Sequence, residues 1–267
     1  MTNKLFVTGM AIVSVLAVMV LMAPVICRYD PVSINIKQAL LAPSNAHIFG
    51  TDYLGRDLFS RVIYGGRVSM MIGLVAVMIA LITGVVVGSI SGYYGGVTDL
   101  VLMGVVDIML CFPALFLILA VVAMLEPGIV NIMVIIGLTG WMGVARLVRA
   151  EILSLKNREF ILTSRALGAG SARIIFKHLI PNAIAPVLVS AVLGVAGAVL
   201  LESSLSFLGL GVQLPSPSWG NILMEGKASL GVCWWPMAFP GLFILITVLG
   251  FNLLGEGLRQ FFLPYKV

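Results

Sequence analysis

The sequence is poor in charge, in histidine and in cysteine, and each shortage removes a class of protein. Charged residues make up 10% of its 267 positions, where a soluble domain carries roughly a quarter. With 60% hydrophobic residues, a water-exposed globular surface cannot be built. Two histidines (His47, His178) and three cysteines (Cys27, Cys111, Cys233) supply no metal site of recognisable spacing and no disulfide framework. A Cys27–Cys233 bond stays open beside the alternative of lone packed thiols. Catalytic signatures are missing too. Gly226-Lys227 is followed by Ala228 and lacks the earlier glycine of a phosphate-binding loop. Ser89 and Ser91, between Gly88 and Gly92, do not have the spacing of a nucleophile elbow. The chain is expected to be non-catalytic.

What the sequence does contain is long apolar runs. A helical span needs about 20 such residues, and six are read: Leu5–Ile26, Ser69–Gly92, Leu100–Leu125, Val130–Val148, Ile184–Leu205 and Met237–Leu258. The first is too long for a signal-peptide core and lacks an A-x-A site, so it is read as an uncleaved anchor. The fold class is all-α, polytopic and membrane-embedded.

Lys and Arg placement sets the orientation. The connector between spans four and five holds Arg146, Arg149, Lys156, Arg158, Arg165, Arg173 and Lys177 against Glu151 and Glu159. Placing it in the cytoplasm puts both termini there, with Lys4, Arg259 and Lys266. The opposing evidence is the connector between spans one and two, with Arg28, Lys37, Arg56, Arg61 and Arg67. It also has three aspartates and is long enough for the rule to weaken. The net charge of +5 is assigned to a loop facing anionic headgroups, and nucleic acid is not an expected partner.

Small and polar residues mark the spans. Gly84, Gly88 and Gly92 form two overlapping G-x-x-x-G units, and Ser190, Gly194, Ala198 and Glu202 make a second stripe. Such spacing lets helices approach closely, either inside the subunit or at a subunit interface beside a pathway. Asp107, Glu202 and Glu256 lie in or near spans, where an ionisable group faces protein or water. Glu202 and Glu256 sit near enough to the interfaces to be solvated. His47 is expected at the surface and His178 in a solvated loop. Trp219, Trp234 and Trp235 suit the headgroup boundary. Residues 207–212, too apolar for a free loop, should dip into the membrane or pack on the bundle. Asp57 is expected to cap a helix beginning at Leu58.

Several ordered motifs carry a resemblance: GTDYLGRDLFSR at Gly50–Arg61, RALGAG at Arg165–Gly170, HLIPN at His178–Asn182, SLSFLGLGV at Ser204–Val212, PSWG at Pro217–Gly220 and FNLLGEGLR at Phe251–Arg259. On these the chain resembles an integral-membrane permease subunit of a bacterial ABC importer, of the dipeptide, oligopeptide and nickel branch. The resemblance implies the type I importer fold, with an anchor and outer segment (1–68), a five-helix core (69–258) and a coupling connector (149–182). It implies residence in the inner membrane bilayer, a second homologous permease, an extracytoplasmic substrate-binding protein, and two ATPase subunits that hold the ATP and Mg. No cofactor is expected on this chain.

The connector residues expected to meet the ATPase are Glu159, Leu162, Thr163, Ser164, Arg165, Ala166, Leu167, Gly168, Ala169, Gly170 and Ile174, with Ile175 adding apolar contact. Gly84, Gly88, Gly92, Asp107, Gly194, Ala198 and Glu202 are assigned to pathway or interface, and Gly50, Asp52, Gly55, Arg56 and Asp57 to an outer motif. The family's Glu-Ala-Ala is here Leu162-Thr163-Ser164, with Glu159 one turn earlier. That departure, with the short amino-terminal tail, tilts the expected cargo toward nickel over peptide. The alternative is a secondary transporter driven by an ion gradient, against which stand the lack of an internal repeat and the sparse buried charge.

Overall fold

A computed structural model describes residues 4–125 and 128–262. Lys266, used in assigning orientation, lies outside them. The described residues form helices and connecting turns, with one isolated β-bridge, Thr51 to Asp57. Five helices are long and apolar enough to cross a membrane, or six if one bent pair counts as a span.

Helix α1 (Lys4–Leu21) is followed by the short α2 (Ala23–Ile26) and by an irregular cap segment, residues 27–57. α3 (Leu58–Tyr94) begins where the sequence predicts. The Asp57 carboxylate accepts from the Ser60 N–H at 2.8 Å, satisfying one of the free donors of the first turn. It ends at Gly95, whose φ of +67° suits a residue without Cβ. The outer amphipathic segment and the second span are therefore one helix of 37 residues.

The third span is not continuous. It is divided into α4 (Gly96–Leu110) and α5 (Ala114–Val122), bent by 84°. Pro113 lacks an N–H and steers Phe112 away from helical geometry, so the ladder stops there and restarts after Pro113. α6 (Ile129–Leu155) carries the chain to the connector, which contains α7 (Glu159–Ala166) and α8 (Ser171–Arg173). A π turn, Ile174–Leu179, leads into α9 (Ile180–Phe207). α10 (Trp219–Gly226) lies between α9 and α11 (Trp235–Phe262). Its start is closed by a reciprocal Ser218–Asn221 capping box.

α3 is the central helix, packed on α6 and α9, while α1 lies along α11. One core unites α1, α3, α9, α10 and α11 around Leu16, Val62, Val199, Trp219 and Phe251. A second joins α3, α5, α6 and α9, and includes Val212, while Phe207, Leu208 and Leu210 of the same segment are exposed. Two ends are thereby defined: a cap end with residues 27–57 and α10, and a connector end.

Three sequence expectations are corrected at the cap end. Trp219 is fully buried and donates from Nε1 to the Val62 carbonyl at 2.9 Å, so it is a core residue and not a headgroup anchor. His47 is buried, with Nδ1 2.8 Å from Asp57 Oδ1. Glu202 is fully buried rather than solvated. The three cysteines are free thiols.

Candidate functional site

The connector is a short helix fixed on one side and bare on the other. Ile161 of α7 is buried against Val148, Ile152, Ile174, Leu179 and Val187. Its exposed side presents Leu162, 50% exposed, with Leu167 at 83% and Phe176 at 69% close by in sequence. α7 closes in a Schellman motif. The Gly168 N–H donates to Arg165 O, the Ala169 N–H donates to Ser164 O, and Gly168 takes φ +79°. Nothing lies within 4 Å of a Cβ built on Gly168, so its constraint is backbone conformation alone. Glu159, Thr163, Arg165, Ala166 and Gly170 are exposed, and Ser164 and Ala169 are half-buried. Ile174 and Ile175, expected to face a partner, are corrected: both are buried in the core beneath α7.

This base is tied to α3. Lys156 Nζ donates to Gly92 O at 3.1 Å, Tyr93 Oη lies 3.3 Å from Ser171 Oγ, and the Arg165 guanidinium sits 5.2 Å from the Tyr93 ring centre.

The glycine stripe of α3 packs inside the subunit. A Cβ on Gly84 would lie 2.6 Å from Val144, one on Gly88 2.5 Å from Ala145 O, and one on Gly92 2.8 Å from Ile152. All three face α6. The α9 stripe differs. Ser190, Gly194, Gly197 and Ala198 face Gly140 and Gly143 of α6 across an open, largely apolar groove of about 270 Å³. No atom lies within 4 Å of a Cβ on Gly143 or Gly197. Gly140, Gly143 and Gly197 escaped the sequence reading, although the Gly140–Gly143 spacing was visible.

Asp107 of α4 pairs with Arg146 of α6 at 2.5 Å, the two side chains 61% and 51% exposed. One level nearer the connector, Arg149 binds Asp99 with two bonds of 2.5 and 2.6 Å.

At the cap end the outer motif builds a buried charge cluster. Arg56 Nε donates to Asp52 Oδ2 at 2.6 Å and Arg56 Nη2 to Glu225 Oε1 at 2.9 Å, while Arg61 donates from Nη2 to Glu225 Oε2. Burial alone would lower the Arg56 pKa, but its bond to Glu225 and the charge of Asp52 raise it above the usual value. Gly50 and Gly55 take φ of +76° and +73° to fold the loop. Arg61 and Glu225 were missed as a pair. They are 164 residues apart, and only the rarity of charge in the sequence hinted at them. Among the described residues no group of three or more His, Cys, Asp or Glu is placed to hold a metal.

Comparison with known proteins agrees with this arrangement. Residues 84–264 match the family model described as binding-protein-dependent transport system inner membrane component, and residues 1–43 match the N-terminal TM domain of oligopeptide transport permease C. The chain is 42% identical over 97% of its length to the oligopeptide transport system permease protein OppC of Bacillus subtilis, covering 85% of that protein. It is 38% identical to the dipeptide transport system permease protein DppC of Haemophilus influenzae, over 97% of the chain and 90% of the relative. A solved structure, an inward-facing conformation of the MetNI methionine ABC transporter, shares the fold with TM-score 0.61 at 18% identity, over 73% of this chain and 93% of that one. The chain therefore belongs to the binding-protein-dependent transport system inner membrane component family, as a non-catalytic ABC importer permease of the dipeptide and oligopeptide branch.

Proposed function

We propose that this chain forms half of a peptide import pathway in a bacterial inner membrane, pairing with a second homologous permease so that the groove between α6 and α9 faces the partner. Two ATPase subunits, carrying the ATP and Mg, grip the connector in the cytoplasm. Both termini lie on that side, and a substrate-binding protein delivers cargo at the cap end. This chain itself holds no cofactor.

The observation that carries this reading is a set of exposed apolar side chains, Leu162 on α7, Leu167 just after it and Phe176 in the following π turn, on a connector anchored from within by Ile161. An apolar patch flanked by Arg158, Arg173 and Lys177 suits a groove with an apolar floor and an acidic rim. Its rigid links to α3 give a route by which ATPase closure moves the bundle. The relatives named above are called di- and oligopeptide permeases, which favours peptide over the nickel suggested by the departure at Leu162-Thr163-Ser164.

The test is uptake of a labelled dipeptide into vesicles containing the whole complex, with ion gradients collapsed and ATP inside. ATP-dependent uptake that L167D abolishes, while assembly persists, supports the reading. Uptake that follows an imposed ion gradient without ATP would replace it with a secondary transporter.

A further inference from the structure

Among the described residues, Arg67 of α3 has no carboxylate partner. Arg61, Arg146 and Arg149, the other arginines on α3 and α6, each have one. Its side chain is exposed, with the guanidinium 5.8 Å from the Tyr64 ring centre.

Its depth follows from the sequence. From Ser69 to Gly92 no residue is charged, and a stretch of that length at ~1.5 Å per residue matches the ~30 Å hydrocarbon core. Arg67 stands two residues before it, at headgroup level, one turn from a tyrosine of the kind found at that boundary.

Directly beneath is an apolar groove of about 450 Å³ between α1 and α3, lined by Ala17, Leu21, Met71, Leu74 and Val75, with Arg67 at its rim. The groove exists because the two helices meet near one point. A Cβ on Gly66 would lie 2.8 Å from Val20. Elsewhere α1 follows α11, with Phe6 against Gly257, Gly9 against Leu254 and Ile12 against Gly250.

We propose that this groove is a specific phospholipid site, with the phosphate on the Arg67 guanidinium and an acyl chain between α1 and α3. The charge complementarity is direct: an unpaired cation at the phosphate level, above a slot without charge. A guanidinium left there without an anion would turn toward water and leave the slot uncovered. The lipid fills the gap that opens beside the Gly66–Val20 contact. The site does not depend on which leaflet the cap end faces.

The test is native mass spectrometry of the complex extracted in mild detergent from membranes of phosphatidylethanolamine and phosphatidylglycerol. The wild type should retain one phospholipid more per chain than R67Q, and R67K should keep most of it. A17F, which fills the slot and leaves the charge in place, should lose the same lipid. Equal lipid retention by wild type, R67Q and A17F would overturn the proposal. Release of the second permease subunit by A17F with lipid unchanged would also overturn it, by assigning the groove to a subunit contact.

Discussion

Ser69 of α3 donates a 2.8 Å hydrogen bond to Glu202 of α9, inside a part of the bundle closed to solvent. Ser69 Oγ also accepts from the Trp219 N–H, and Ser206 Oγ donates to the other carboxylate oxygen while accepting from the Val212 N–H. Each serine has a backbone donor on its oxygen, so its own hydroxyl hydrogen is directed at Glu202. The carboxylate is the shared acceptor that joins α3, α9 and the start of α10.

Replacing Glu202 by Ala should therefore cost on the order of 3 kcal/mol, because two buried hydroxyl donors lose their acceptor. Glu202→Gln keeps one acceptor oxygen and should cost less. Thermal unfolding of the detergent-solubilised protein checks this order. An unchanged midpoint in E202A would mean the hydroxyls have other acceptors.

The cluster of Asp52, Arg56, Arg61 and Glu225 should respond in the manner of a buried ion pair. Arg61→Met should destabilise by about 3–5 kcal/mol, since Glu225 is left undercompensated. The double variant R61M/E225M should recover part of that loss. A double-mutant cycle on denaturation midpoints measures the coupling, and strict additivity would contradict it.

Gly88→Val should loosen α3 from α6, because its first added carbon already falls 2.5 Å from the Ala145 carbonyl. Overpacking of this kind costs about 1–3 kcal/mol or more. Gly104→Val, with no atom within 4 Å of the new Cβ, is the matched control and should be nearly neutral. Protease resistance of the two variants separates them.

Leu167 and Ile174 should separate function from stability. Leu167→Ser alters an exposed side chain and should move stability by less than about 0.5 kcal/mol while sharply reducing ATP-driven uptake. Ile174→Ala should lower stability by about 2–5 kcal/mol through the cavity beneath α7. Unfolding midpoints measured beside transport test this, and a large loss of stability in L167S would remove the contrast.

The helical class, the start of α3 at Asp57 and the exposed connector were legible because each depends on neighbours in sequence: an apolar run, a cap, a glycine after α7. The close approach of Gly84, Gly88 and Gly92 was legible as well, though not that the opposing helix would be α6. The break of the third span was half visible. Pro113 announces it, but the 84° turn also requires α5 to find Ile132 and Ile136 of α6. Glu202, Glu225, His47 and Trp219 were misplaced or missed because their partners lie far along the chain or on another element. A carboxylate near the end of a span looks solvated until Ser69, 133 residues away, is seen to donate to it.

At 37 residues and ~1.5 Å per residue, α3 is about 55 Å long, well beyond the ~30 Å hydrocarbon core. It has no internal proline at which to flex. It therefore extends beyond the hydrocarbon at the cap end, with α6 packed on its glycines. Under the proposed coupling, a push on Tyr93 from the connector would travel along this one helix to Arg61 and the buried charge cluster at the cap end.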